Sequence, residues 1–207
     1  MARTLVIDTA TAACSVALID AGAVIASRHE IVGRGHVERL LPMIAELPDG
    51  GRGARILVDV GPGSFTGIRV GIAAARGLAL GWGVTASGYS SLALVAAAGF
   101  AAHPDWRMLA VVLEGGHGEV FMQPFDAAPF APAAALVSLS PDAAIAALGD
   151  RPAIGNGVRF LSDVAGVEAL PHAAEAILLP TAFTTLAPTP IYGRAPDAKP
   201  QPAAPPR

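Results

Sequence analysis

Val60-Gly61-Pro62-Gly63-Ser64-Phe65-Thr66-Gly67-Ile68-Arg69-Val70-Gly71 decides how the rest of this chain is read. It continues an apolar run, Ile56-Leu57-Val58-Asp59-Val60, that has the length and β-branched content of a buried strand. It opens an alanine- and glycine-rich segment, Ile68 to Leu80, that reads as a helix with Ser64 as its N-cap. Strand, glycine turn and helix together are a common phosphate cradle, because free N–H groups at a helix start point outward. The spacing does not suit that use. A P-loop places Gly-Lys-Ser/Thr after Gly and four residues, and here Thr66 and Gly67 stand there without a lysine. The dinucleotide pattern G-x-G-x-x-G fails as well, since its last glycine falls on Thr66.

Lysine narrows the chemistry further. The only one in 207 residues is Lys199, in a proline-rich segment. A P-loop lysine, a Schiff-base lysine and a Ser-Lys dyad each need an ammonium inside a folded pocket, so all three are excluded as expectations. The chain is 53% hydrophobic and 15% charged, enough to bury a large core in one domain or two small ones. Net charge is −3 and no run of positive charge occurs, which argues against tight binding of nucleic acid by this chain alone. The apolar stretch Leu92 to Ala102 is too short for a bilayer. Asp8 interrupts the N-terminal apolar run, which is not read as a signal peptide. The single cysteine, Cys14, reads as a small buried residue, and the protein is expected in the cytoplasm.

Outward from the turn, Arg3–Thr9, Ser15–Ile19 and Val24–Arg28 read as three strands, the last two a hairpin around Asp20-Ala21-Gly22. His36 to Leu47 carries Val37, Leu40, Leu41, Ile44 and Leu47 at helical spacing, with Pro42 inside. After the Ile68 helix come a short strand at 84–86 and a helix from Ser90 to Ala101. Beyond His103-Pro104-Asp105 the pattern restarts, with a strand at Met108–Leu113, a turn Gly115-Gly116-His117-Gly118 and a returning strand Glu119–Phe125. Helical patches follow at Pro141–Leu148 and Ala173–Leu186, with a strand-like Ala153–Gly155. This predicts an α/β protein with a first lobe over 1–102, a second, smaller lobe over 103–194, and a proline-rich disordered tail over 195–207.

The candidate chemistry is sparse. Asp8-Thr9-Ala10-Thr11 closes the first strand with a carboxylate and hydroxyls, as in actin-like ATPases and sugar kinases where such a turn faces phosphate. Ala10 stands where a glycine would let backbone approach that phosphate. Asp8, Thr9, Gly61, Gly63 and Ser64 are therefore vestigial phosphate-loop positions, or, on the alternative reading, working parts of a small-molecule kinase or ATPase. His36 is followed one turn later by Leu40, so the paired histidines of a helical metal site are missing; it reads as a cap or surface residue. No metal and no catalytic residue is expected, and a metallopeptidase reading lacks ligands. Gly67, Gly71 and Ala75 form a stripe of small residues that lets another backbone approach, from the same domain or from a partner.

The stretches Ile7–Leu18, His36–Met43, Gly61–Gly71, Gly77–Gly81 and Gly88–Leu92 closely resemble the TsaB (YeaZ) family, with looser similarity at Gly118–Phe121 and Pro190–Tyr192. The resemblance implies an actin-like (ASKHA) fold of two lobes with mixed five-stranded sheets and flanking helices. It implies a non-catalytic subunit in the transfer of a threonylcarbamoyl group to the adenosine beside the anticodon of tRNAs reading codons that start with A. A TsaD-type catalytic subunit and a TsaE-type ATPase would be its partners, with tRNA met only through the complex and a homodimer formed by the chain alone. It implies no cofactor of its own, ATP or ADP at a complex interface being the alternative. The family pairs through the helices corresponding to 36–47 and 64–80, so His36, Leu40, Leu41, Ile44, Gly67, Ile68, Gly71, Ala75 and Leu78 are the expected interface, and Gly71→Leu is expected to block docking while the chain stays folded. Glu114 and two glycines depart from the family pattern, which has Asp followed by Ala-Arg there.

Overall fold

The computed structural model describes residues 3–194. The tail expected over 195–207, with Lys199, lies outside them. Strands β1 (Thr4–Asp8), β2 (Ala13–Asp20) and β3 (Ala23–Ile31) form an antiparallel meander. Helix α1 (His36–Ala45) leads to β4 (Arg55–Asp59), which pairs parallel to β1. Helix α2 (Phe65–Trp82) then leads to β5 (Thr85–Tyr89), giving a five-stranded sheet in the order β3-β2-β1-β4-β5. Ser64 caps α2 as expected, its Oγ accepting from the Gly67 N–H at 3.2 Å, and Gly83 ends the helix at φ 68°.

Helix α3 (Ser91–Ala102) crosses to a second sheet made of β6 (Met108–Gly116), β7 (Glu119–Ala127), β8 (Phe130–Pro132), β9 (Val137–Leu139), β10 (Ala153–Ile154) and β11 (Gly166–Val167), with α4 (Pro141–Leu148) against it. The two sheets begin alike, with an antiparallel hairpin on a parallel neighbour, in keeping with the restart of the pattern beyond Asp105.

Side-chain alternation divides β1 between two cores. Leu5 and Ile7 join Val16, Leu18, Ile56 and Val58 under α1 and α2. Val6 points the other way, into a cluster with Leu57, α3 and Leu109, Val111 and Phe121 of the second sheet. Helix α3 lies inside this cluster, with Leu92 to Ala97 all buried, which explains why its sequence shows no amphipathic stripe.

The C-terminal part departs from the expected layout. Residues 172–191 do not stay with the second sheet. They return over the first: Ala173 N–H donates to Ser15 Oγ at 2.9 Å, Leu186 pairs with Gly88, and Ile191 N–H donates to the Val60 carbonyl at 2.7 Å. The helix expected over Ala173–Leu186 is two 3-10 turns, Ala173–Leu178 and Thr181–Phe183, separated at Pro180, whose ring cannot continue a helix.

Cys14 is fully buried on β2, and burial pushes its thiol up to about 11. We expect no alkylation of the native protein at pH 8 and full alkylation once it is unfolded; ready reaction in the native state would contradict this placement.

Candidate functional site

The glycine turn and the first-strand turn meet at the mouth of a cleft of about 1070 Å³ between the two sheets. Its lining includes Arg34, Arg69, Glu114, His117, Asn156 and Tyr192. In this fold position a nucleotide phosphate would have to approach Ala10 and Gly63. There the two turns contact each other directly. Ser64 N–H donates to the Ala10 carbonyl at 2.6 Å, and Thr9 Oγ1 donates to the Gly67 carbonyl at 2.7 Å. A Cβ added to Gly63 would sit inside contact distance of the Ala10 carbonyl oxygen, and one on Gly67 inside that of Thr9. Two turns that could have flanked a phosphate are instead hydrogen-bonded to each other, through the Ser64 N–H and the Thr9 hydroxyl.

Asp8 does not face the cleft. It is fully buried, accepting from Tyr89 Oη at 2.8 Å and from the Ala10 N–H at 3.3 Å, and burial raises its carboxyl above the usual range. Sequence reading missed its neighbour Asp59, also fully buried and raised well above the carboxylate range by burial and by Asp8. The signal was present: Asp59 interrupts a run of apolar residues that otherwise reads as a core strand.

His36 is not on the surface. It is 4% exposed, with Nε2 3.1 Å from the Ala13 carbonyl oxygen, so it ties α1 to β2. Leu40, one turn on, is buried under the sheet. Among the described residues no group of three His, Cys, Asp or Glu side chains could hold a metal ion. Glu114 is engaged with Arg159 at 2.5 Å, and its N–H donates to Asn156 Oδ1 at 3.1 Å, so the second-sheet turn is closed by its own ion pair.

The expected interface needs correction. His36, Leu40, Ile44, Gly67, Ile68, Gly71 and Ala75 all face inward. The Gly67/Gly71/Ala75 stripe lets α2 approach β1: a Cβ on Gly71 would meet Thr9 Oγ1, Val58 and Ile7 of the same chain. Gly71→Leu would therefore damage the fold and could not report on docking. Leu78 is half-buried against the same core. Only Leu41 of the expected set is exposed, at 54%.

The outer face of the helix pair is different. On α1, Val37 and Leu41 stand outward one turn apart. On α2, Ala73, Gly77, Leu80 and Gly81 share one exposed face, with Leu80 at 87%. A Cβ on Gly77 or Gly81 would meet nothing within 4 Å. Glycine inside a helix costs about 0.5–1 kcal/mol relative to alanine, and no internal contact offsets it here. The flanking cations do not cover this face. Arg69 lies over the Phe65 ring at 3.4 Å and donates to Tyr192 Oη, while Arg76 donates to the Pro188 carbonyl. Both are held by the returning C-terminal segment.

A family model described as TsaD, tRNA N6-adenosine threonylcarbamoyltransferase, matches residues 23–128, just over half of the chain. The tRNA threonylcarbamoyladenosine biosynthesis protein TsaB of Escherichia coli is 42% identical over 126 residues, 58% of this chain and 53% of that protein. The chain spans about half the length of the curated relatives it matches. Two solved structures from Pseudomonas aeruginosa match along most of both chains. One, described as having similarity to peptidase YEAZ, is 28% identical with a TM-score of 0.76, covering 94% of this chain and 100% of the other. The second, YeaZ, is 27% identical with a TM-score of 0.74, covering 86% and 90%. The paired mixed sheets with flanking helices are the actin-like (ASKHA) fold.

Proposed function

The chain belongs to the TsaD family, on its TsaB (YeaZ) side, and from that premise we propose that it is a non-catalytic subunit of a tRNA threonylcarbamoyl-transfer complex. It acts by docking to a TsaD-type catalytic subunit, with a TsaE-type ATPase joining the assembly in the cytoplasm and tRNA met only through the complex. The observation that carries this reading is the direct bonding of the two turns: Ser64 N–H to the Ala10 carbonyl and Thr9 Oγ1 to the Gly67 carbonyl engage two donors that a transferring phosphate would need. The sequence holds no run of positive charge and its net charge is −3, which supports contact with tRNA through the complex. The outward face of α1 and α2, with Val37, Leu41, Ala73, Gly77 and Leu80, is the docking surface. Exposed apolar side chains beside open glycines suit a partner helix packed at short distance.

The test has two arms. Threonylcarbamoylation reconstituted from TsaD-type and TsaE-type proteins is expected to require this chain. Calorimetric titration of the isolated chain with ATP and magnesium is expected to show no binding. Activity undiminished by omitting the chain would defeat the subunit role, and micromolar ATP affinity in the isolated chain would favour a small-molecule kinase or ATPase.

A further inference from the structure

The first sheet carries one polar row across its full width. His29 on β3 pairs with Ser15 on β2, Ser15 with Asp8 on β1, and Asp59 on β4 with Tyr89 on β5. Asp8 and Asp59 fall one step beyond the Ile7–Val58 pair, which closes the row. Residues paired across strands project from the same face, and here it is the α3 face, since Val6 and Leu57, two residues earlier, lie in the α3 cluster. Asp8, Ser15, Asp59 and Tyr89 are each 0% exposed.

The two carboxyls are adjacent at the centre of this row, and their oxygens are nearly all accounted for. Asp8 accepts from Tyr89 Oη and the Ala10 N–H. Asp59 Oδ1 accepts from the Gly61 N–H at 2.6 Å and from Ser91 Oγ at 2.7 Å. Asp59 Oδ2 is buried and receives no donor from the described residues. Asp8 and Asp59 stand on neighbouring parallel strands, one step past the Ile7–Val58 pair, on the same face and without exposure. Their carboxyls are thus set side by side in a closed interior, where one of them must carry a proton to offset their mutual repulsion. Two ionised carboxylates cannot share such a site without a cation between them. His29 lies beyond Ser15 in the same row.

We propose that Asp8 and Asp59 hold a single proton between them, carried on Asp59 Oδ2 and donated to the Asp8 carboxylate, and that this proton latches β1 to the glycine turn and to the start of α3. Through its other oxygen Asp59 holds Gly61 of the turn and Ser91 of α3, so the same side chain joins three elements. Losing the proton sets two negative charges side by side in a closed interior and releases that junction.

The other titratable groups around the row are Cys14 on β2, Tyr89 on β5, His29 on β3, and His172 and Glu175 from the returning segment. His172 stacks on His29 with ring centroids 4.6 Å apart, and burial lowers its pKa. Burial raises Glu175, and burial raises Tyr89 well above its ordinary value. The direction of the effect follows. The folded chain keeps a proton that the unfolded chain releases above about pH 4. The latch is therefore at full strength below the ordinary carboxylate range and weakens as pH rises toward the raised value of the folded pair. Within that window the unfolding constant grows about tenfold per pH unit for this one proton.

Infrared spectra of wild-type protein carrying 13C-labelled aspartate, recorded at neutral pH, are expected to show a label-shifted carbonyl band of a protonated carboxylic acid. Its absence would overturn the proposal without any variant having to fold. Denaturant unfolding of wild type, Asp59→Asn and Glu175→Gln from pH 5 to 8 supplies the second reading. Asp59→Asn keeps a donor toward Asp8, and its unfolding constant is expected to lose about tenfold per unit of the wild-type pH dependence, whereas Glu175→Gln leaves the aspartate contribution in place. Subtracting variant from wild type cancels His172, which acts in the opposite sense. An unchanged slope in Asp59→Asn would also overturn the shared proton.

Discussion

Gly67→Ala is expected to destabilise the protein by about 3 kcal/mol or more, at the upper end of what overpacking costs. The added methyl would fall inside contact distance of the Thr9 carbonyl oxygen, which is backbone and cannot rotate away. Relief would require moving α2 off β1 and breaking the bond from Thr9 Oγ1 to the Gly67 carbonyl. Against a typical total stability of about 5–15 kcal/mol, this puts the variant near the threshold of folding. Denaturant midpoints followed by far-UV circular dichroism measure it, with Gly77→Ala on the same helix as the comparison. Gly77 has open space around the new methyl, so there the change is expected to stabilise by about 0.5–1 kcal/mol through helix propensity. Equal effects at the two glycines would contradict the orientation of α2.

The double substitution Leu41→Arg with Leu80→Arg is expected to abolish co-purification with a TsaD-type subunit while leaving the melting curve of the isolated chain unchanged. Both side chains stand in water, at 54% and 87% exposure, so the isolated fold loses little. On docking, each guanidinium would be buried without a partner, and weakening of at least about a hundredfold, about 2.8 kcal/mol, follows. Binding by the double variant within threefold of wild type would show that the partner sits elsewhere. Gly77→Leu probes the same face sterically, filling the space that an approaching helix needs.

The contrast between Gly67 and Gly77 shows where sequence reading reached its limit on α2. The helix is small nearly all round: Gly67, Gly71, Ala73, Ala74, Ala75, Gly77, Ala79 and Gly81 offer one small stripe at 67/71/75 and another at 73/77/81. Periodicity identifies each stripe, yet small residues are equally compatible with a close internal sheet and a close external helix. On α1 the apolar positions likewise run wider than one face. Leu40 and Ile44 turn to the core, while Val37 and Leu41, one position over, turn to water. Asp59 was hidden for another reason: spacing along the chain does not show that its strand lies beside the strand of Asp8.

What the amino-acid sequence determined by itself is local. It placed the strands and long helices of the first hundred residues, the Ser64 cap, the missing lysine and histidine ligands, and the family resemblance, because these depend on spacing along the chain and on which groups are present at all. Tertiary structure alone decided which face of α2 is buried, that residues 172–191 return to the first sheet, and that two aspartates meet in its interior. Those outcomes depend on contacts between residues some fifty to more than a hundred positions apart, where excluded volume and desolvation act across elements and leave no period in the sequence for a reader to count.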